Sequence, residues 1–374
     1  YKFDYTGHFL HLRKFERPSS IGSRGEQFIN DWEMISKKSS VFIDSRLCEA
    51  PYQYNFGQLG IEHTKKAVNS FKLRSKNISD NCNLEDFFLS KFGDYMCQKF
   101  FIPYSEKLYG LPLKDLSCKQ VSRFFPDPND KLIIEQLDTR QVRAETYNSK
   151  FWYPKLGGID LLLKHFSFPK NAIFSTPNGI DIKNKKISFN DGSIYNFKNL
   201  VSTIPLNILY KLCNNLSISN QIKLSASTQY VVHIGTRQQI DALDQNAWIY
   251  IPDKETNLYR VGNYTFASKY MSGRQSGMSL YLELSGKSLD PIEEAIDYMR
   301  KNFDLNTKDI EVTTLSKLNP AYVHFIHGQE DLLSDLKNVL NENCIYSIGR
   351  YGSWDYVSME DCIVQAKQLA NLIK

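Results

Sequence analysis

The stretch Cys344–Leu372, CIYSIGRYGSWDYVSMEDCIVQAKQLANL, decides the fold that the sequence predicts. A short apolar run at Ile345–Ile348 has strand character. It ends at Gly349–Gly352, where two glycines permit a sharp turn and a close approach of the backbone to a bound group. Ser358 with Asp361 three residues later resembles a capping box, so a helix is predicted to begin there and to bury one apolar face.

A strand, a glycine turn and a helix N-terminus in this order form a place where free N–H groups and the positive end of a helix dipole meet an electron-rich ligand. Arg350 adds a fixed charge beside it. An ordinary connection that closes a domain has the same spacing, so the pattern alone leaves both interpretations open.

Composition restricts the class of protein. The chain has 374 residues, 42% hydrophobic and 23% charged, which predicts a globular protein of two or three domains. No apolar run approaches the roughly 18 residues that span a bilayer. The net charge of +5 comes from scattered lysines, which argues against nucleic-acid binding but suits an anionic small substrate. Seven cysteines without a C-x-x-C pair predict reduced thiols and a cytoplasmic location.

Two histidine pairs have metal-like spacing, His8 with His11 and His324 with His327. Neither pair has a cysteine or acidic ligand set nearby in the sequence, and a zinc site needs three or four ligands. We therefore expect no metal site.

The segment G-R-Y-G-S-W-D-Y-V-S-M-E-D resembles the C-terminal flavin motif of UDP-galactopyranose mutases and their relatives in the amine-oxidase and protoporphyrinogen-oxidase group. This resemblance implies FAD as the cofactor. It implies that Arg350 is catalytic, that Gly349, Arg350 and Ser358 contact the flavin, and that Met359 presents its backbone N–H to the pyrimidine end of the ring. Tyr356 would contact the substrate phosphates.

Other segments resemble the same group in the same order along the chain. Phe3–His11 matches a stretch in which Gly7 and His8 lie against the flavin, which makes His8 a second catalytic candidate. Leu200–Pro205 resembles a strand that returns to the cofactor sheet and touches the dinucleotide through Ser202, Thr203 and Pro205. The segment FIPYSEKLYGLP, Phe101–Pro112, resembles the end of a helical insertion; its Lys107 is a substrate contact or, as we favour, part of a structural salt bridge.

Three further positions concern the substrate. Arg260 lies in an L-Y-R segment whose arginine binds a diphosphate in the mutases, although a cross-strand ion pair explains an arginine there equally well. Tyr322 lies in a P-A-Y-V step near the mouth of the active site. The mutases often carry an arginine where this chain has Trp152, which weakens the case for mutase chemistry; Arg140 and Arg143 lie upstream as substitutes.

The fold class that follows is α/β with α+β insertions: a Rossmann-type FAD-binding domain of the glutathione-reductase and amine-oxidase kind. We assign this domain to residues 1–30, 151–215 and 340–374, a helical insertion to 60–150, and a substrate-binding sheet domain to 216–339. No G-x-G-x-x-G is present, so we expect that the printed chain lacks the first βαβ unit of such a domain. Local patterns also predict short strands at Tyr52–Phe56 and Ala172–Ser175.

The resemblance implies a FAD enzyme that acts on a sugar nucleotide through reduced flavin, with no net redox change. A FAD-dependent oxidoreductase of the amine-oxidase or protoporphyrinogen-oxidase kind, which takes a hydride onto the flavin, is the alternative that stays open. A second alternative is a flavin-free binding protein on a degenerate fold. The expected partner is a small molecule, with a homo-oligomer possible.

Overall fold

The computed structural model describes residues 1–79, 81–119, 121–122, 125–138, 149–168, 171–214, 216, 222–274 and 276–373. The predicted Arg140 and Arg143 lie outside the described residues. Helices and strands are mixed along the chain, as the predicted fold class requires. In the described part, no helix combines the length and the apolar character needed to cross a membrane.

The strands are β1 (Trp32–Ser36), β2 (Ser39–Ile43), β3 (Arg46–Glu49), β4 (Lys150–Pro154), β5 (Pro177–Asp181), β6 (Lys186–Phe189), β7 (Ile194–Asn196), β8 (Leu200–Ser202), β9 (Cys213–Asn214), β10 (Gln229–Thr236), β11 (Trp248–Tyr250), β12 (Leu258–Asn263), β13 (Met278–Ser285), β14 (Ile310–Leu318) and β15 (Ile345–Ser347). The α-helices are α1 (Tyr52–Asn55), α2 (Ile61–Leu73), α3 (Leu84–Met96), α4 (Ile102–Tyr109), α5 (Asp130–Ile134), α6 (Leu206–Leu212), α7 (Asp241–Asp244), α8 (Tyr264–Ala267), α9 (Pro291–Phe303), α10 (Glu330–Glu342), α11 (Gly349–Gly352) and α12 (Met359–Leu372).

A seven-stranded sheet in the order β14-β10-β13-β12-β11-β2-β3 is the largest element. Its pairings are antiparallel except β11 with β2. Every residue of β13 is buried, because the sheet packs α9 on one face and the N-terminal segment and helices on the other. Strands β2 and β3 come from a region that the sequence prediction assigned to no domain; the domain division itself stays a prediction.

A second sheet pairs β8 with β15 in parallel, joining Ser202 to Ser347 at its last register position. Because both strands run the same way, the loops that follow them leave from one edge. These loops are Ser202–Pro205 and Gly349–Gly352, the two segments predicted to touch the cofactor. The strands β7, β6, β5 and β9 form a separate four-stranded sheet nearby in the sequence.

Two local predictions are wrong. Tyr52–Asn55 form a helical turn rather than a strand, and Tyr52 and the following Phe56 are both buried in the helical core. Ala172–Ser175 is not a strand, and β5 begins only at Pro177. After Phe101 the chain stays helical: a π-helical turn at Cys97–Phe101 leads straight into α4, whose first turn accommodates Pro103.

Glu360 holds the start and the end of the chain together. Its side chain is almost fully buried (1% exposed), and its carboxylate accepts hydrogen bonds from the backbone N–H groups of Arg13, Lys14 and Phe15 at 2.6–3.0 Å. It belongs to the first turn of α12, where a negative charge also meets the positive end of the helix dipole. The predicted capping box of Ser358 and Asp361 begins the same helix, and the structure confirms it.

Glu360→Gln replaces one carboxylate oxygen by an amide NH2 group that faces N–H donors. We expect the free energy of unfolding to fall by about 1–3 kcal/mol, since a buried charge-assisted acceptor is lost. Urea denaturation measures this change. Glu342→Gln, the same substitution at an exposed position of α10, should stay within about 0.5 kcal/mol of the wild type. Equal effects of the two substitutions would contradict the anchoring role.

Candidate functional site

A cavity of about 1310 Å³ lies between the helical region, the large sheet and the edge where β8 and β15 end. Aromatic side chains make up much of its wall, and four cations lie among the lining residues. Its polar and aromatic lining residues include His11, Arg13, Lys37, Tyr104, Tyr109, Trp248, Tyr250, Phe266, Tyr322, Arg350, Tyr356 and Ser358. A space of this size holds a large ligand or two ligands side by side.

Arg350 and Tyr356 were predicted from the C-terminal motif and Tyr322 from the P-A-Y-V step, and the structure brings the three residues together. The guanidinium carbon of Arg350 lies 5.7 Å from the ring centre of Tyr322 and 5.6 Å from that of Tyr356. Its Nη1 donates to the carbonyl oxygen of Val357 at 3.1 Å, and the hydroxyl of Tyr356 donates to the carbonyl oxygen of Val323. The cation is therefore fixed in position at the cavity wall, between two aromatic rings.

Tyrosine protons are retained in this part of the cavity. Burial raises the pKa of Tyr322 and raises that of Tyr356 well above the usual value, although Arg350 acts in the opposite direction on both. Burial likewise raises the pKa of Tyr104 well above the usual value. All three phenols are therefore neutral over the physiological pH range. The hydroxyl of Tyr356 donates to Val323, whereas those of Tyr104 and Tyr322 are able to donate to a bound acceptor.

The residues predicted to contact the cofactor also converge. Gly349 adopts a φ of +79°, a conformation that favours glycine. A Cβ on Gly352 would lie 3.2 Å from the carbonyl oxygen of Ser202, so the glycine turn packs directly on the loop after β8. Thr203 is exposed and Pro205 is the N-cap of α6, both on that loop.

The helix end beside this turn has an unused donor. The backbone N–H of Met359 finds no acceptor among the residues that the structure describes, whereas the Ser358 side chain accepts from Asp361 N. Such an N–H is one of the donors that a helix leaves unsatisfied at its first turn. Two parallel strand ends, a glycine turn and a free helix N–H fit the flavin end of FAD, so the residues present are compatible with the implied cofactor. The cofactor contacts stay a prediction.

The structure explains why a glycine occupies the position of Gly7, in addition to its predicted role at the flavin. A Cβ there would lie 2.3 Å from the hydroxyl oxygen of Tyr281, and one on Gly262 would lie 1.8 Å from the same ring. The ring of Tyr281 therefore lies between the N-terminal segment and β12, where only glycine leaves enough room.

His8 follows Gly7, and its side chain is exposed. Desolvation by the surrounding protein nevertheless lowers the pKa of His8; Arg350 and Arg260 lower this pKa further, and Glu283 opposes them.

Arg260 forms the cross-strand ion pair that the sequence left as one of two interpretations. Its Nε and Nη2 donate to the two carboxylate oxygens of Glu283 at 2.6 and 2.7 Å, and the hydroxyl of Thr6 donates to the same carboxylate. Burial favours a raised pKa for Glu283, but Arg260 and Thr6 outweigh it and hold the pKa below its usual value. The guanidinium also lies 5.9 Å from the ring of Trp248 in the cavity wall, so a substrate contact stays a prediction.

Trp152 and Lys107 lie elsewhere. Trp152 packs with Leu10 and Trp32 and is not among the described residues that line the cavity. Its neighbours Phe151 and Tyr153 lie on the opposite face of β4, because successive side chains of a strand alternate between its two faces. Its predicted substrate contact finds no support in this position.

Lys107 is neither a substrate contact nor a salt bridge: its ammonium donates to the carbonyl oxygens of Asp253 and Leu258 at 2.7 and 2.6 Å. Burial lowers its pKa to about 7.

The sequence reasoning missed several residues of the cavity wall. Lys37 lies 5.2 Å from the ring of Trp248, and desolvation lowers its pKa to about 8. Arg13 and His11 line the same part of the cavity, and Lys37 and Arg13 both lower the pKa of His11, although burial is the larger cause. A pair of adjacent lysines between two short strands resembles any solvated turn, so the sequence carried no signal for Lys37.

One histidine of each pair forms hydrogen bonds to nearby protein groups. His324 bonds the carbonyl oxygen of Tyr109 at 2.8 Å and the hydroxyl of Ser225 at 3.0 Å, and His11 bonds the carbonyl oxygen of Lys150 at 3.0 Å. Among the described residues there is no group of three or more side chains suited to hold a metal ion.

Asp4 joins the predicted Phe3–His11 stretch to the segment that contains Tyr153 and Ile159. Its carboxylate accepts from the hydroxyl of Tyr153 at 2.5 Å and from the backbone N–H of Ile159 at 3.1 Å. A Cβ on Gly158 would lie 2.2 Å from the same carboxylate. Burial raises the pKa of Asp4 to about 6, against the lowering effect of both hydrogen bonds.

Known structures share this fold. No protein-family model matches the chain. Reduced UDP-galactopyranose mutase aligns with a TM-score of 0.83 at 21% identity, over 97% of this chain and 82% of that one. A protoporphyrinogen oxidase-like protein from Exiguobacterium aligns with a TM-score of 0.66 at 14% identity, over 94% and 82%. Cyclohexylamine oxidase from Brevibacterium oxydans aligns with a TM-score of 0.62 at 11% identity, over 98% and 86%.

The chain therefore has the fold of the FAD-dependent amine oxidase-like flavoproteins, and the predicted resemblance is confirmed at this level. The neighbours include a mutase and oxidases. Identities of 11–21% establish a shared fold and leave the reaction open.

Glu283→Gln leaves the guanidinium of Arg260 in a buried position without its counter-charge. We expect the free energy of unfolding to fall by about 3–5 kcal/mol. The matched control is Glu311→Gln, because Glu311 is also a strand residue paired with an arginine, Arg274, at 2.8 Å, but that arginine is half exposed. This control should cost about 1 kcal/mol or less. A small effect of Glu283→Gln in urea denaturation would show that the pair is not structurally important.

Asp4 should give stability a measurable pH dependence. Its folded-state pKa of about 6 lies above the unfolded value of 3.8, so the protonated form stabilises the fold and this contribution is lost as the pH rises from about 4 through 6. We expect a loss of about 1–3 kcal/mol over this window, which Asp4→Asn removes. Asp335→Asn, at an exposed position of α10, should retain the wild-type slope. An unchanged slope in Asp4→Asn would contradict the assignment.

Proposed function

We propose that the protein binds FAD and acts on an anionic sugar nucleotide in the 1310 Å³ cavity. The observation that carries this proposal is the fixed guanidinium of Arg350 between Tyr322 and Tyr356 at the cavity wall. An arginine fork binds phosphate oxygens in pairs, and the neutral phenol of Tyr322 is able to donate to an oxygen that remains. A nucleoside diphosphate offers such a set of acceptors together with a base and a sugar that fill a large aromatic cavity.

The charge of the cavity supports an anionic ligand over an amine. Its cations are Arg13, Lys37, Lys38 and Arg350, and its acids are Glu49, Asp244 and Asp361. Asp361 is bound in the capping box of α12 and by Lys14 at 3.4 Å, so its charge is already compensated. A protonated amine would enter a cavity whose fixed charges near Arg350 repel it.

The residues of this chain have separable tasks in the proposed reaction. Arg350 and the two tyrosines orient the diphosphate and, if the leaving group departs during the reaction, stabilise the negative charge that develops on it. Gly349, Ser358 and the N–H of Met359 hold the ring end of FAD beside them. Reduced FAD, when bound, supplies an electron-rich ring system next to the sugar.

A FAD-dependent oxidoreductase is the second candidate. The aromatic side chains of Tyr104, Trp248, Tyr250 and Phe266 favour it, because they offer an apolar wall to a substrate without phosphate. The two candidates differ in what must bind beside the flavin: a nucleoside diphosphate in one case and an uncharged or amine substrate in the other.

The visible spectrum of the full gene product separates these candidates. We expect flavin bands in the purified protein, bleaching with dithionite, and a spectral response to UDP-galactose that appears only after reduction. Arg350→Gln should retain the flavin bands and bind UDP at least about tenfold more weakly, a loss of about 1.4 kcal/mol or more. Lys186→Gln, which removes an exposed cation of β6 outside the cavity lining, is the control and should leave UDP binding unchanged.

Flavin bands that do not change on addition of the sugar nucleotide or UDP in either redox state would overturn the sugar-nucleotide proposal and favour the oxidoreductase. A protein without flavin bands that still binds UDP in calorimetry would be a flavin-free binding protein.

A further inference from the structure

Two buried cysteines of the helical region are in direct contact. The sulfur atoms of Cys82 and Cys118 lie 2.6 Å apart, closer than two unbonded sulfur atoms normally approach, and the side chains are 8% and 5% exposed. No other pair among the seven cysteines has a described sulfur–sulfur contact. Neither cysteine lines the large cavity, so the proposed flavin chemistry does not account for them.

The backbone brings the two residues into a geometry that a covalent bond accepts. Asn83 and Ser117 form an antiparallel bridge, and the N–H of Cys118 donates to the carbonyl oxygen of Cys82 at 3.2 Å. Residues that face each other across such a bridge have Cα atoms about 5.5 Å apart. Disulfides join Cα atoms roughly 4.4–6.8 Å apart, so no backbone rearrangement is required.

We propose that Cys82 and Cys118 form a reversible disulfide, a modification site that fastens the start of α3 to the chain segment leading to the cavity wall. Cys82 directly precedes Asn83, the residue that caps α3. On the other side, Cys118 accepts hydrogen bonds from Val121 and Ser122 in the turn that follows it.

That turn reaches the proposed substrate cavity. Phe125 donates its N–H to the carbonyl oxygen of Ser122, and its ring packs on Phe88 of α3 with 5.0 Å between ring centres. Val121 and Phe125 both line the large cavity. The disulfide therefore links α3 and this part of the wall covalently at one end, while the aromatic contact joins them at the other.

The oxidant in the proposed reaction is hydrogen peroxide. One sulfur attacks a peroxide oxygen and becomes a sulfenic acid, with water as the other product. The second thiol then displaces water from the sulfenic acid and the S–S bond forms. In total, two thiols and one peroxide give one disulfide and two water molecules; the two electrons lost by sulfur reduce the peroxide.

The surroundings of Cys82 determine the conditions of the reaction. Burial and the neighbouring Cys118 raise the pKa of Cys82 to about 12, so thiolate is scarce and oxidation is slow at neutral pH. A separate cavity of about 530 Å³, lined by Cys82, Asn83 and Asp86, admits a small oxidant. Hydrogen peroxide should therefore oxidise the Cys82–Cys118 pair, whereas a bulky disulfide reagent should leave it reduced.

The test is a thiol count on the full-length protein before and after treatment with hydrogen peroxide, followed by non-reducing peptide mapping. We expect the count in denaturant to fall from seven to five, one crosslinked peptide pair containing Cys82 and Cys118, and recovery of seven thiols with dithiothreitol. The melting temperature of the oxidised protein should rise, since the crosslink closes a loop in the unfolded chain.

Cys118→Ser should keep its six thiols under the same treatment and show no rise in melting temperature. Cys213→Ser, which removes a buried cysteine elsewhere, is the matched control and should fall from six thiols to four. The wild-type peptide map decides the question even if a variant fails to fold. Free thiols at both Cys82 and Cys118 after a treatment that oxidises the half-buried Cys344, or a crosslink between any other pair, would overturn the proposal.

Discussion

The parallel pairing of β8 with β15 is the constraint on which the rest of the site depends. It joins strands about 145 residues apart in the sequence, so that the loops after them leave from one edge of the sheet. The glycine turn after β15 then packs on the carbonyl oxygen of Ser202. Every other contact of the site follows from this placement, since Arg350 belongs to the turn and α12 begins shortly after it.

Around this edge, the protein uses buried charge to hold distant segments in position. Glu360 binds three consecutive backbone N–H groups of the N-terminal segment, and Glu283 binds Arg260 and Thr6 below the cavity. Both carboxylates are almost fully buried and fully paired. Buried ion pairs contribute modestly to net stability but penalise any arrangement that separates the partners, so they specify one geometry of the site.

The sequence predicted the elements of the site well and their wider surroundings poorly. The strand, turn and capping box of the C-terminal stretch are visible because glycine, serine and aspartate act locally there. Tyr356 and Arg350 were found because both lie in the C-terminal motif, and Tyr322 because it lies in the P-A-Y-V step. Lys37 was missed because its importance comes only from the tertiary fold that places it beside Trp248. The helix at Tyr52–Asn55 was missed for the same reason: the helical core, rather than local propensity, determines its conformation.

The ring of Tyr281 has a consequence for how this sequence is able to change over evolutionary time. It fills the space over both Gly7 and Gly262, two positions that are distant in the sequence. A side chain gained at either glycine has no room unless the aromatic ring is replaced by a smaller residue. The three positions therefore form one unit of covariation, in which a single substitution is penalised and a compensated pair is tolerated.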